Sequence, residues 1–132
     1  MKPKILVVDD HEIVREGVRR LLTRSRPEWE ICGEAANGEQ AVGAVEQMRP
    51  DVVILDISMP GMGGLEAAAR IAKMGLGCRT LIFTMHESNR LDAEIRDIGA
   101  QGYVQKSQAA RDLVLAIECV LQGENFFSPH GN

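Results

Sequence analysis

Two adjacent aspartates, Asp9 and Asp10, follow the apolar run ILVV at 5–8. Each raises the cost of ionising the other. Asp56 closes a second run, VVIL at 52–55. Thr84 closes a third, TLIF at 80–83, and Lys106 stands just past a weaker one, GYV at 102–104. Side chains that end successive strands of a parallel sheet share one rim, where such sheets bind ligands. Three acids, a hydroxyl and an amine are therefore expected to converge.

Three close carboxylates need company, because a like-charged pair at about 4 Å costs roughly 4 kcal/mol at an effective dielectric of 20. Lys106 offsets one charge and leaves two. A divalent cation would balance the remainder, and an all-oxygen donor set suits a hard ion, Mg2+ first and Mn2+ next. A metal beside a carboxylate, a hydroxyl and a lysine suits phosphoryl transfer, where catalysis is mostly positioning and charge neutralisation. Asp56 is the best-placed nucleophile. It ends the run expected as the central strand, and the loop-forming stretch ISMPGMGG follows it rather than a helical turn. Thr84 would then donate to one phosphoryl oxygen and Lys106 pair with another. Plainer accounts exist for each residue taken alone. Asp9 with Glu12 fits a helix capping box, Asp10 could complement the next helix's dipole, and Thr84 and Lys106 would be ordinary surface residues.

The elements that would position these residues are legible in the apolar pattern. Five runs, ILVV, WEIC at 29–32, VVIL, TLIF and GYV, are mostly continuous, as expected of strands covered on both faces. Helical spacing separates them: Val14, Val18, Leu21 and Leu22; Ala41, Ala44, Val45 and Met48; Leu65, Ala68, Ala69 and Ala72; Leu91, Ile95 and Ile98; Leu113, Ile117, Val120 and Leu121. Asn37 can cap the second helix with Gln40 reaching back. Pro50 ends that helix, and Gly99 and Gly123 fall where C-terminal glycines belong. Regular strand–helix alternation implies a parallel sheet with helices on both faces. The helix expected at 109–122 is apolar beyond one stripe, since Val114, Leu115 and Cys119 lie off the Leu113/Ile117/Val120 face. A deep-set helix and a partner-binding surface both account for this.

Composition narrows the class. With 132 residues, 45% hydrophobic and 26% charged, the chain suits one globular domain. Its net charge of -4 argues against a nucleic-acid surface. Cys32, Cys78 and Cys119 are odd in number and follow no metal-ligand spacing, which fits buried thiols in a reducing compartment. No apolar stretch near the N-terminus is long enough for a signal or a membrane span. The expectation is a soluble, cytoplasmic protein without membrane contact. Residues 1–123 are read as the domain, and 124–132, ENFFSPHGN, as a tail or the start of a linker.

Taken in order, VVDDHE, DVVILDISMPGMGGLEA, LIFTMH and GYVQKS resemble the receiver domain of two-component response regulators along nearly the whole chain. DDHEIVREGVRRLL, MPGMGGLEA and ARDLVLAIECVLQGENFFSP look like the NarL/FixJ branch, whose members carry a C-terminal LuxR-type helix-turn-helix. The resemblance implies an α/β, flavodoxin-like three-layer sandwich: a five-stranded parallel sheet of order 2-1-3-4-5 with five helices. It implies phosphorylation of Asp56 by a sensor histidine kinase. Mg2+ would be held by Asp10, Asp56 and the backbone carbonyl of Ser58, with Asp9 bound through water. Autodephosphorylation would return the resting state. Tyr103 matches the aromatic that turns inward once Thr84 moves to the phosphoryl group. Ser58 and His86 would flank the path of the hydrolytic water. His11 is read as a loop or helix-start residue rather than a metal ligand, and His130 lies in the tail. Homodimerisation on phosphorylation is expected, with Leu115 and Cys119 as contact candidates. DNA would be reached only through a C-terminal domain that these 132 residues do not contain.

Two other classes fit part of the pattern. A small Mg2+-dependent phosphatase of the haloacid-dehalogenase type also uses an aspartyl phosphate, but on a first-strand D-x-D where this chain has DDHE. A receiver-like module that signals by contact alone would leave the acidic pocket without a purpose.

Overall fold

The computed structural model describes residues 2–85 and 89–127, with the side chains of 89 and 90 excepted. Eleven elements follow one another: β1 (Lys4–Val8), α1 (Glu12–Ser25), β2 (Glu30–Ala35), α2 (Gly38–Met48), β3 (Val52–Asp56), α3 (Gly64–Met74), β4 (Arg79–Thr84), α4 (Asn89–Asp97), β5 (Gly102–Gln105), α5 (Ala109–Leu121) and β6 (Phe126–Phe127). A single 3-10 turn, Lys106–Gln108, joins β5 to α5. All strand pairs are parallel, in the order β2-β1-β3-β4-β5-β6.

The flavodoxin-like layers and the order 2-1-3-4-5 match the expectation. The sheet carries a sixth strand where five were expected, because Phe126 and Phe127 pair with Gly102 and Tyr103. β2 also differs from its run: it covers 30–35, not 29–32. As an edge strand it needs only partial cover, so Gly33 and Glu34 can extend it without breaking a core.

Period-two alternation splits the core into two layers. Leu6, Val8, Val53, Leu55, Ile82 and Tyr103 face α2, α3 and α4, where Ala41, Val45, Ala68, Ile71 and Ile95 meet them. Ile5, Val7, Val52, Ile54, Leu81, Phe83 and Val104 face α1 and α5, against Val18, Leu22, Leu113, Ile117 and Val120. The central strands are sealed on both sides, and every residue from Val52 to Leu55 is fully buried. Removing a side chain such as Ile54 would cost about 2–5 kcal/mol on truncation to Ala.

Local signals stop and start the helices as expected. The Asn37 side chain accepts from the Gln40 N–H at 2.8 Å, while Gln40 reaches back to the Ala36 N–H at 2.9 Å. Arg49 ends α2 in the left-handed region (φ 50°) just before buried Pro50. Gly99 and Gly123 adopt positive φ after α4 and α5.

On α5, Leu113, Ala116, Ile117 and Val120 are buried, Val114 and Cys119 are half-buried, and Leu115 stays 53% exposed. Among the described residues no helix is long and apolar enough to cross a membrane.

Candidate functional site

Strand register brings the acids together. Val8 pairs with Leu55, so the next residues on each strand, Asp9 and Asp56, stand side by side where β1 and β3 end. Both share the face of Ile5, Val7, Val52 and Ile54, and both are almost wholly buried (1% and 4% exposed). Asp10 lies one residue further on, at the solvent-facing lip. β1 is also where strand order reverses, with β2 on one side and β3 on the other.

Lys106 enters from the end of β5. Its Nζ donates to Asp9 Oδ2 at 2.8 Å and lies 3.3 Å from Asp56 Oδ1, while its ammonium stands 5.7 Å from the centre of the Phe83 ring. Thr84 ends β4 with 1% exposure, between the strands that bear Asp56 and Lys106. The Ser58 backbone N–H donates to Asp56, and Ser58 itself is exposed.

The backbone of the following loop folds under Asp56. The Gly64 N–H donates to the Ile57 carbonyl at 2.8 Å. A Cβ on Gly64 would stand 2.0 Å from the Asp56 carbonyl oxygen, so only glycine permits this approach. The loop before α3 thus runs close beneath the acid, and the helix begins only at Gly64.

Electrostatics divide the two buried acids. Burial raises the Asp56 pKa and the charge of Asp9 adds to this, outweighing Lys106 and the Ser58 N–H. Burial also pushes Asp9 upward, but hydrogen bonds from Lys106 and His11 prevail and leave its pKa lowered. Lys106 loses hydration on burial, yet its bond to Asp9 and the charge of Asp56 raise its pKa. Lys106 thus serves Asp9 first, and Asp56 is the less well-compensated anion.

The capping-box account of Asp9 and Glu12 does not describe what forms. α1 starts at Glu12 with His11 as its N-cap, and Asp9 Oδ1 accepts from the His11 N–H at 2.9 Å. His11 is a helix-start residue, as its position suggested, but its ring has a further place. Nδ1 lies 3.0 Å from Asp9 Oδ1 and 3.1 Å from Asp10 Oδ1. Nothing in sequence spacing pointed to that contact, since a histidine after an acidic pair is equally suited to facing solvent. His86 and His130 lie outside the described residues. Tyr103 is not in the acidic pocket: it is fully buried on the opposite face of the sheet, beside Ile82.

The three carboxylates gathered here fit a hard divalent cation, and the His11 nitrogen beside them is a softer donor that such an ion does not need. Asp9, Asp10, Asp56 and His11 each present a ligand atom, all within 4.8 Å of one another. Three carboxylates against one lysine leave negative charge to be balanced, and Asp56, with its proton affinity raised by burial and by Asp9, has most to gain from a cation.

Comparison with known proteins agrees with this geometry. The sequence profile described as the response regulator receiver domain matches residues 5–118. Response regulator UvrY of Escherichia coli is 40% identical over 124 residues, covering 94% of this chain and 56% of UvrY. Response regulator GacA of Pseudomonas syringae is 34% identical over 126 residues, covering 96% of this chain and 58% of GacA. The chain thus spans a little over half the length of these curated relatives. Among solved structures, a LuxR-family two-component response regulator from Aurantimonas superposes with a TM-score of 0.92 at 42% identity, covering 98% of this chain and 91% of that one. The signal receiver domain of the response regulator NarL from Mycobacterium tuberculosis gives 0.87 at 32% identity, covering 93% and 98%. An acidic pair, a strand-end aspartate and a lysine gathered on this sheet, with these relatives, lead to one conclusion: the chain belongs to the receiver-domain family of two-component response regulators, in its LuxR/NarL branch.

Proposed function

We propose that the chain is a phosphoacceptor switch: Asp56 takes a phosphoryl group from a phosphohistidine of a sensor kinase, and the domain later hydrolyses it. The observation that carries this reading is the asymmetry between the two buried acids. Asp9 is held by Lys106 and His11, whereas Asp56 keeps a carboxylate that is only partly compensated.

In the transfer an Asp56 carboxylate oxygen attacks phosphorus, a P–O bond forms, and the P–N bond to histidine breaks with its electron pair returning to the imidazole. In hydrolysis a water oxygen attacks phosphorus and forms a P–O bond while the P–O bond to Asp56 breaks with its electron pair returning to the carboxylate, which releases inorganic phosphate. Mg2+, or Mn2+ in its place, would be held by Asp10, Asp56 and the Ser58 carbonyl, with Asp9 through water, and when bound it neutralises charge on the phosphoryl oxygens. Lys106 is close enough to pair with a phosphoryl oxygen on Asp56, and Thr84 supplies a hydroxyl donor from the neighbouring strand. Ser58 flanks the approach of the hydrolytic water, a place that His86 shares on the family pattern.

Phosphorylation adds negative charge and acceptor oxygens at Asp56. Ordering Thr84 around them leaves space on its face of β4 in which buried Tyr103 is held inward, so the readout lies on β5 and the helices beside it. Exposed Leu115 supports a homodimer through α5 in the phosphorylated state, with half-buried Cys119 as a second contact candidate. DNA would be addressed only by a separate output domain, and the setting would be the cytoplasm. The receiver-domain match displaces the phosphatase alternative.

Chemical trapping tests the acceptor. Borohydride reduces an aspartyl phosphate to homoserine, and peptide mapping after phosphorylation should find homoserine at position 56. Homoserine at position 9 or 10 instead would reject the assignment.

A further inference from the structure

β6 has only two residues, fewer than ladder bonds alone hold at a sheet edge. Side chains anchor it. The Phe127 ring stands edge-on to Tyr103, with centroids 6.1 Å apart and planes at 68°. The guanidinium carbon of Arg96, on α4, lies 3.7 Å from the Phe127 ring centre. Such aromatic and cation–aromatic contacts are directional and add to simple burial.

The backbone is fitted to the same end. The Phe126 N–H donates to the Gln101 carbonyl at 2.9 Å. A Cβ at residue 102 would lie 1.7 Å from the Phe126 carbonyl oxygen, so this pairing requires Gly102. The segment therefore joins α4 and β5 at one ring, and that ring packs against the residue assigned to the switch. Tyr103 has no exposed surface.

Thr84 and Tyr103 share a sheet face: Tyr103 pairs with Ile82, and Thr84 stands two residues further along the same strand. An outward turn of Tyr103 would have to displace Phe127, and with it β6 and the Arg96 contact. Inward Tyr103 and docked β6 thus stabilise each other.

We propose that Phe126–Phe127 is a latch on the switch: phosphorylation of Asp56 holds Tyr103 inward, tightens the Phe127–Arg96 contact and fixes the direction in which the chain leaves residue 127. The latch rests on the phosphoacceptor reading above. Its occupant is this chain's own segment, lying on the face from which the switch would be read. Coupling of this kind is reciprocal, so a docked latch must also favour the phosphorylated form.

Hydrogen exchange at the Phe126 amide, with and without Mg2+ and beryllofluoride, a mimic of the phosphoryl group, tests it. Intact mass after acetyl phosphate reports separately whether Asp56 accepts. The mimic should slow Phe126 exchange by about fivefold or more, the lower end of typical coupling between sites. Phe127→Ala should weaken mimic binding by a similar factor. Arg96→Gln, which removes the cation and leaves the aromatic pair, should do so less, and it covers the case in which Phe127→Ala does not fold. Unchanged Phe126 exchange in protein whose Asp56 does accept phosphate would overturn the latch and leave the phosphoacceptor reading intact. No phosphorylation at all would overturn both.

Discussion

The ammonium of Lys106 stands between two buried carboxylates, 2.8 Å from Asp9 and 3.3 Å from Asp56. One positive charge serves two negative ones, and the nearer partner takes more of it. Burial and that inequality together set the shifts of all three groups, and with them the behaviour of the site on mutation and on changing pH.

Removing the lysine should expose the imbalance. Lys106→Met is expected to destabilise the metal-free protein by about 2–3 kcal/mol, below the roughly 3–5 kcal/mol of a fully enclosed pair because Lys106 keeps some contact with water. Urea unfolding in EDTA measures this. Its loss should shrink when Mg2+ is added, since the cation takes over part of the same neutralisation.

Replacing Asp56 should act in the opposite sense. Its raised pKa means that the folded state holds the proton more tightly than the unfolded chain does. Stability is therefore lost as pH rises from the unfolded carboxylate value through the raised one. Asp56→Asn should melt higher than wild type at pH 7 without metal, and the gap should close as the medium is acidified below the carboxylate range. Asp9 runs the other way: its lowered pKa contributes stability above the unfolded value, lost as pH falls through the folded one. Asp9→Asn should melt lower at pH 7. Thermal scans from pH 3 to pH 7 in EDTA distinguish the two signs.

A methyl group under Asp56 should be disruptive. Gly64→Ala forces carbon against the Asp56 carbonyl, and overpacking of this kind costs about 1–3 kcal/mol. Because the strain is applied to the acceptor's own backbone, the variant should also accept phosphate more slowly, measured at a temperature where it remains folded.

The thiols should differ from free cysteine. Burial, then Asp51 and Cys32, push the Cys78 pKa up to about 12, and burial raises Cys32 too. Neither forms much thiolate at pH 8. Iodoacetamide should leave Cys78 unmodified in the native protein and label it once denaturant is added, as peptide mass mapping would show.

Most of the site could be read before any coordinate, because its members end strands and the runs that precede them are unmistakable. Asp9, Asp10, Asp56 and Lys106 meet where strand order alone would put them. Three features escaped. His11 reaches Asp9 and Asp10 through its ring direction, which spacing does not encode. β2 runs on through Gly33 and Glu34, since an edge strand tolerates residues that a central one does not; Glu34 is held there by Arg15 and Arg19 of α1. β6 has no apolar run of strand length. It depends on Arg96 and Tyr103, far away in sequence, and on the missing side chain of Gly102.

The most direct test of the central claim is intact-mass spectrometry after incubation with acetyl phosphate, with Mg2+ or with EDTA, beside Asp56→Asn. One added phosphoryl group is expected in the wild type, dependent on the cation and absent from the variant. No addition to folded wild-type protein in Mg2+, or equal addition to Asp56→Asn, would contradict it.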